Sequence, residues 1–112
     1  MSLDNLLLGL VVAYFGWRVA SAILVKRRLP TLLKDGAQVV DVRSPGEFAG
    51  GHAPGSLNIP LSEIEARAGE LDRSRQIIVC CASGTRSALA AHKLRRLGFG
   101  RVLNGGSWRA LG

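Results

Sequence analysis

The chain has little cysteine, few aromatic residues and, over its last third, no acid at all. Its two cysteines, Cys80 and Cys81, are adjacent, and neighbouring residues fit ordinary disulfide geometry poorly. Neither reads as a structural staple. His52 and His92 stand apart from each other and from the cysteines, so nothing has the spacing of a zinc site and no metal is expected. Beyond residue 28 the aromatics are Phe48, Phe99 and Trp108, too few and too scattered for a base-stacking surface, so no nucleic acid is expected as a partner. Glycine and proline contribute 14 and 4 of 112 residues, which excludes collagen-like and low-complexity chains. With 47% apolar and 21% charged residues, the chain folds, and its length allows one domain of ordinary size at most. No internal repeat is apparent.

Charge is distributed unevenly. Residues 1–25 hold Asp4 and Arg18, residues 26–72 carry six bases and seven acids, and residues 73–112 carry eight bases and no acid. A field of that sign attracts an anionic surface or concentrates a small anionic substrate. On the helix face, Lys93, Arg95 and Arg96 read either as a solvated surface or as part of such a funnel.

Before the charged part lies a long apolar run. From Leu6 to Val25, 16 of 20 residues are apolar, the others being Gly9, Gly16, Arg18 and Ser21. A helix of that length reaches about 30 Å, the thickness of a bilayer's hydrocarbon core. Lys26, Arg27 and Arg28 follow at once. By the positive-inside rule they place the C-terminal end in the cytoplasm and send the N-terminus outward, giving a single-pass membrane protein with a cytoplasmic domain. The alternative is a cleaved signal, with Ala20-Ser21-Ala22 as the small-x-small site and a periplasmic or secreted product. Against it, the first five residues contain no base.

Beyond Leu29 strands and helices alternate. Residues 37–42 are a β-branched run after the turn Asp35-Gly36, ending at Ser44-Pro45-Gly46. Ser44 and Glu47 form a capping box for a brief helix through Ala49. A loop from His52 to Pro60 carries a short extended piece. Ser62 and Glu65 form a second capping box, with Leu61, Ile64, Ala68 and Leu71 on one helix face. Residues 76–80 form an unbroken apolar strand, as expected for one buried on both faces. A helix follows from Arg86 to Leu97, then a strand at 101–104 and a terminal turn carrying Trp108. The alternation predicts an α/β domain with a mainly parallel central sheet flanked by helices, preceded by one transmembrane helix.

The chemistry belongs at the end of the most buried strand, in Cys81-Ala82-Ser83-Gly84-Thr85-Arg86-Ser87. Ligands of parallel sheets collect beyond the carboxyl ends of strands. A short loop with a central glycine curls its amides around an anion, and the following helix N-terminus adds positive potential. The same cradle favours a thiolate on Cys81. Counted from Cys81, four residues precede Arg86, and counted from Cys80, five do. The longer spacing resembles the phosphate loop of cysteine-dependent phosphatases and some arsenate reductases. Alternation along the strand sends Cys80 to a sheet face and leaves Cys81 at the turn, which favours the shorter loop.

Three stretches in order carry a more specific likeness: Val40-Asp41-Val42-Arg43 with Glu47-Phe48, then Gly51-His52-Ala53-Pro54-Gly55 with Asn58-Ile59-Pro60, then Cys81–Arg86 with Ser87. Gly105-Gly106 and Trp108 fit the same pattern. Together they resemble the single-domain rhodaneses, the thiosulfate and related sulfurtransferases, over about residues 39–111. The resemblance implies a rhodanese-like domain over 29–112 behind a membrane anchor with a basic flank over 1–28. It implies Cys81 as the nucleophile that carries sulfane sulfur as a persulfide, and Ala82, Ser83, Gly84, Thr85 and Arg86 as the loop that holds substrate. No cofactor is implied. The expected partners are a small anionic sulfur donor such as thiosulfate, a thiol or protein-cysteine acceptor with cyanide as the assay acceptor, and the lipid bilayer. A non-enzymatic persulfide carrier or docking module is the other reading. Asp41, Arg43 and Glu47 read as an ion-paired network bracing the loop, with His52 and Ser87 in supporting places. The sequence departs from the family in an abbreviated segment before the first strand, in Ala53 where a larger aliphatic is usual, and in Cys80 where an aromatic is common.

Overall fold

The computed structural model describes residues 2–112. Helix α1 runs without interruption over Leu3–Lys34, capped by the Ser2 hydroxyl, which accepts from the Asn5 amide. Its first part is apolar on every side and touches nothing; residues from Leu3 to Leu24 leave their large side chains exposed. The helix is long and apolar enough to cross a membrane, with a mean hydropathy of 1.8 over its most apolar 18 residues. It does not stop at the basic cluster, and it carries Pro30 inside its last turns. The reason is tertiary: Leu29 is buried, and Val25, Leu32 and Leu33 pack beside it against the sheet. That contact holds a segment whose proline alone would favour a break.

A tight turn at Asp35-Gly36 reverses the chain into strand β1, Gln38–Asp41. Here the Ala37 amide donates to the Leu32 carbonyl at 3.0 Å. The remaining elements are α2 (Pro45–Ala49), β2 (Leu57–Asn58), α3 (Ile64–Arg67), β3 (Ile77–Cys81), α4 (Thr85–Arg96) and β4 (Val102–Ser107). The strands form one parallel sheet in the order β2-β1-β3-β4. All five residues of β3 are buried, as its unbroken apolar sequence requires of a central strand.

Two cores result, one on each face. Val40, Val42, Ile77, Val79 and Cys81 point to the face covered by α3 and α4, where they meet Ile64, Ala90, Ala91 and Leu94. Val39, Ile78 and Cys80 point to the other face, where they meet Leu29, Ala53 and Leu111. The short segment before β1 thus covers a sheet face rather than adding a strand.

The capping box at Ser44 and Glu47 is present in both directions. That expected at Ser62 is not. Leu61–Glu63 is a 3-10 turn entered from Pro60 with no side-chain cap, followed by the single α turn and a second 3-10 turn at Ala68–Glu70. The expected apolar face survives, with Ile64, Ala68 and Leu71 buried. Pro60 fixes the entry and lacks an amide, which displaces the helix start from the serine.

Candidate active site

The site lies at the carboxyl end of β3. Cys81 is the last residue of that strand rather than the first of the loop, because its ladder with Ser107 continues past a bulge opposite Val79 and Cys80. At Gly105, a Cβ would come within 2.8 Å of Ile78 Cγ2, so the bulge requires glycine there. Cys81 is therefore held by the sheet, 1% exposed, while the loop after it bends back over the sulfur.

Gly84 makes that bend. Its φ of +102° favours glycine, and a Cβ would meet Gly106 Cα at 3.3 Å. From this position its amide donates to Cys81 Sγ at 2.9 Å. Ser87 Oγ lies 3.4 Å from the same sulfur. Burial opposes ionisation of Cys81, but the Ser87 hydroxyl and the amides of Ser87, Gly84 and Ser83 outweigh it and hold the thiol below its ordinary value. The first turn of α4 begins at Thr85 with no side-chain cap, so its first amides are left open to an acceptor on the Cys81 side. Ala82, Ser83 and Thr85 form the exposed rim, with Ser83 Oγ 3.4 Å from Thr85 Oγ1.

Cys80, equally buried in the same strand, differs in its surroundings. It faces the α1 side of the sheet, fully buried. Burial pushes its thiol up to about 12, and the nearby Asp41 charge adds to that. The Cys80 sulfur therefore lies outside the loop that bends over Cys81.

Asn104 was not singled out from the sequence, yet it organises the loop. Its Nδ2 donates to the Gly84 carbonyl at 3.0 Å, and its Oδ1 accepts from Ser87 Oγ at 2.6 Å and from the Gly106 amide at 3.0 Å. These partners fix which way the amide points. With the Ser87 proton on Asn104, Ser87 Oγ is free to accept from the Cys81 thiol. Turned to the sulfur, the same hydroxyl stabilises the thiolate. The only sequence signal was an asparagine at a strand end before Gly-Gly.

Asp41, Arg43 and Glu47 are brought together as one brace. The buried Asp41 carboxylate accepts from Arg43 Nε at 3.0 Å and from its terminal nitrogen at 2.7 Å. Arg43 also donates to the carbonyls of Glu47 and Gly51, at 3.3 and 2.7 Å, and stacks on Trp108 with 4.6 Å to the ring centre. Glu47 in turn takes both terminal nitrogens of Arg86, at 2.7 and 3.0 Å. The Arg86 hydrogen bonds, with those from Ser44, hold the Glu47 carboxyl down at about 2. Arg86 is thus tied to α2 at the rim. His52 stacks on Phe48, with ring centres 3.8 Å apart, and its Nδ1 is 2.8 Å from the Phe48 carbonyl. It braces α2 and has no contact with Cys81.

A deep thiol at a strand end, under the Gly84 amide and beside the Ser87 hydroxyl, sits in a short loop between strand and helix on a parallel α/β sheet. The rhodanese-like domain model matches residues 25–109, and the chain belongs to that family. It is 33% identical over 108 residues to the uncharacterized protein YqhL of Bacillus subtilis, covering 90% of this chain and 86% of that one. It is 37% identical over 84 residues to the thiosulfate sulfurtransferase GlpE of Pseudomonas aeruginosa, covering 71% of this chain and 76% of that one. A 66-residue match at 42% identity to the putative sulfur carrier protein YrkF of Bacillus subtilis covers 59% of this chain but spans only 36% of that protein. Among solved structures, the human single-domain sulfurtransferase TSTD1 superposes with a TM-score of 0.67 at 32% identity, over 75% of this chain and 88% of that one.

Proposed function

We propose that this chain is a membrane-anchored sulfurtransferase that moves sulfane sulfur from an anionic donor of the thiosulfate class to a thiol through a persulfide on Cys81. The observation that carries this reading is the Gly84 amide 2.9 Å from Cys81 Sγ, with the Ser87 hydroxyl beside it and the first turn of α4 beyond. In the first half-reaction the Cys81 thiolate attacks the outer sulfur of thiosulfate. The S–S bond of the donor breaks, sulfite leaves with the electron pair, and Cys81 holds a persulfide anion. In the second, an acceptor thiolate attacks the outer sulfur of that persulfide, and Cys81 leaves as the thiolate. Both steps conserve charge and need no oxidant. The amides of the loop stabilise the anion on either sulfur, and the Ser87 hydroxyl beside Cys81 Sγ adds a donor to the thiolate that leaves.

The loop length and the name of GlpE support thiosulfate as donor. The longer, phosphatase-like register draws no support, since Cys80 lies on the opposite sheet face from the cradle. The name of YrkF favours a second reading, in which the loaded persulfide is handed to a partner without turnover. Intact mass spectrometry after thiosulfate treatment tests the first reading: one added sulfur, removable by cyanide and absent from Cys81→Ser, is the expected result. Multiple turnovers with cyanide separate enzyme from carrier, and phosphate-ester or arsenate turnover would overturn both.

The anchor reading rests on the length and all-round apolar surface of α1, and Lys26, Arg27 and Arg28 favour a cytoplasmic domain by the positive-inside rule. A mature N-terminus near Ile23, or digestion of the domain from the periplasmic side only, would overturn it.

A further inference from the structure

The direction in which α1 leaves the domain fixes what the Cys81 loop faces. Reversed into β1 by the turn at Asp35-Gly36, α1 lies over the sheet face and packs against β4. Leu32 is level with the foot of β1, since its carbonyl takes the Ala37 amide. From Leu32 up to Val25 is seven residues, about 10 Å of helix. From Ala37 up to Asp41, the partner of Cys80 in the ladder, is four residues, about 13 Å of strand. The last packed residue of α1, Val25, therefore stands within about one helical turn of the carboxyl ends of the strands. A second contact agrees. Lys26, Leu29 and Pro30 line a cleft with Ala110, Leu111 and Gly112, which belong to the turn beyond the carboxyl end of β4.

Above that level only the bare helix continues. Leu3–Leu24 is 22 residues, about 33 Å of helix, against about 30 Å of hydrocarbon. Lys26, Arg27 and Arg28 are exposed at the point where it leaves the domain. Trp108 and the exposed Arg109 stand at the same end of the sheet, with the Arg109 guanidinium 4.8 Å from the ring centre. Basic and indole side chains are the types that settle at the headgroup level. By contrast, Arg73, Arg75 and Arg101 are spent at the opposite end, donating to the carbonyls of Leu97, Gly36 and Ser74.

We infer that the domain is docked with its Cys81 pole against the bilayer surface, and that its acceptor is a cysteine thiol of an integral membrane protein presented at that surface. This rests on the sulfurtransferase reading and deepens it. The transfer is the second half-reaction above: the surface thiolate attacks the outer sulfur of the Cys81 persulfide, the S–S bond breaks, and Cys81 leaves as thiolate. Confinement of donor and acceptor to one plane raises their effective concentration, and docking with the loop toward that plane makes the confinement productive.

The test uses the full chain in vesicles containing anionic lipid. Loading of Cys81 with thiosulfate is first read by intact mass, and failure at this step overturns the sulfurtransferase reading itself. With loading established, transfer is timed to a lipid carrying a thiol on its headgroup and to a soluble thiol of matched pKa at equal total concentration. The lipid thiol is expected to be on the order of tenfold faster or more. Orientation is read separately in Trp17→Phe, where Trp108 is the sole tryptophan. Its fluorescence is expected to be quenched by a nitroxide at headgroup depth. A tryptophan at the far pole, Leu97→Trp in a Trp17→Phe/Trp108→Phe background, is expected to escape. A flexible Gly-Ser insertion between Val25 and Lys26 keeps the tether but frees the domain, and should remove both the quenching and the preference. Equal quenching at the two poles, equal rates for the two thiols, or a preference untouched by the insertion would overturn the docked orientation while leaving sulfur transfer intact.

Discussion

On the α4 face of the sheet Cys81 sits among donors, with the Gly84 amide and the Ser87 hydroxyl aimed at its sulfur, whereas on the α1 face Cys80 sits among apolar side chains with the Asp41 carboxylate as its charged neighbour. The two residues are joined by one peptide bond and share one strand. Alternation along that strand is enough to send one thiol below its ordinary value and the other up to about 12. The lesson concerns division of labour. The α1 face carries a buried ion pair and the packed end of α1, so it fixes position. The α4 face keeps its polar atoms for one sulfur.

Exchange of the two thiols gives the largest expected effect. Cys81→Ser should abolish persulfide formation, because a hydroxyl cannot hold sulfane sulfur in this cycle. Cys80→Ser should load normally and lose about 1–3 kcal/mol of stability through a buried hydroxyl, read as a lower denaturant midpoint. Loss of loading in Cys80→Ser with retention in Cys81→Ser would reverse the assignment of the two faces.

Next in size is the brace on the α1 face. Asp41→Ala strands the Arg43 guanidinium, whose side chain is 5% exposed, and breaking such a pair from one side costs about 3–5 kcal/mol. Asp41→Ala/Arg43→Met removes both charges and should recover much of that loss. The fraction still folded should alkylate at Cys81 at nearly the parent rate, since neither residue touches that sulfur. A Cys81 rate that collapses in folded protein would show that the two faces are not separable.

Much of this division was legible in the sequence. The run IIVCC declares a doubly buried strand, Ser44 with Glu47 declares the capped turn, and the loop from Cys81 to Ser87 declares an anion cradle, because each depends on local spacing. What was not legible depends on contacts between distant segments. Leu29, Leu32 and Leu33 carry α1 through Pro30 only because a sheet face lies under them. Asn104 acts on Gly84 across the sheet, and its role needs the bulge at Gly105. The pairing of Glu47 with Arg86 crosses 39 residues, so a network guessed from Asp41, Arg43 and Glu47 omitted the partner that ties it to the loop. Cys81 was placed one residue too late for the same reason, since its ladder partner Ser107 is supplied by the bulged end of β4.

On the α4 face, Ser87→Ala removes the hydroxyl that favours the Cys81 thiolate. The thiol pKa should rise, so at neutral pH a smaller fraction is ionised and alkylation slows. One hydrogen bond of about 1 kcal/mol corresponds to a several-fold loss of rate. At high pH, where both proteins are fully ionised, the two rates should converge. A pH–rate profile that stays in place would mean that the amides alone set the ionisation, and would narrow the reactive face to the loop backbone.

The smallest effect is expected where the charge is densest in sequence. Lys93, Arg95 and Arg96 lie in the last turn of α4, whereas the Cys81 loop meets its first turn. Eight residues from Thr85 to Lys93 separate them by about 12 Å along the helix, beyond a screening length of about 8 Å at physiological ionic strength. Two of the three are also occupied, Lys93 with Glu65 at 3.5 Å and Arg95 with the Val102 carbonyl at 2.9 Å. Replacing all three by glutamine should therefore change the second-order rate with thiosulfate by less than about twofold at that ionic strength. At low salt, where the field reaches further, a modest loss should emerge. Stability should fall slightly, because the C-terminus of α4 loses its favourable charges. A large loss at physiological salt would mean that anions are gathered over the whole α4 face, and the reactive region would then extend the length of the helix rather than end at its first turn.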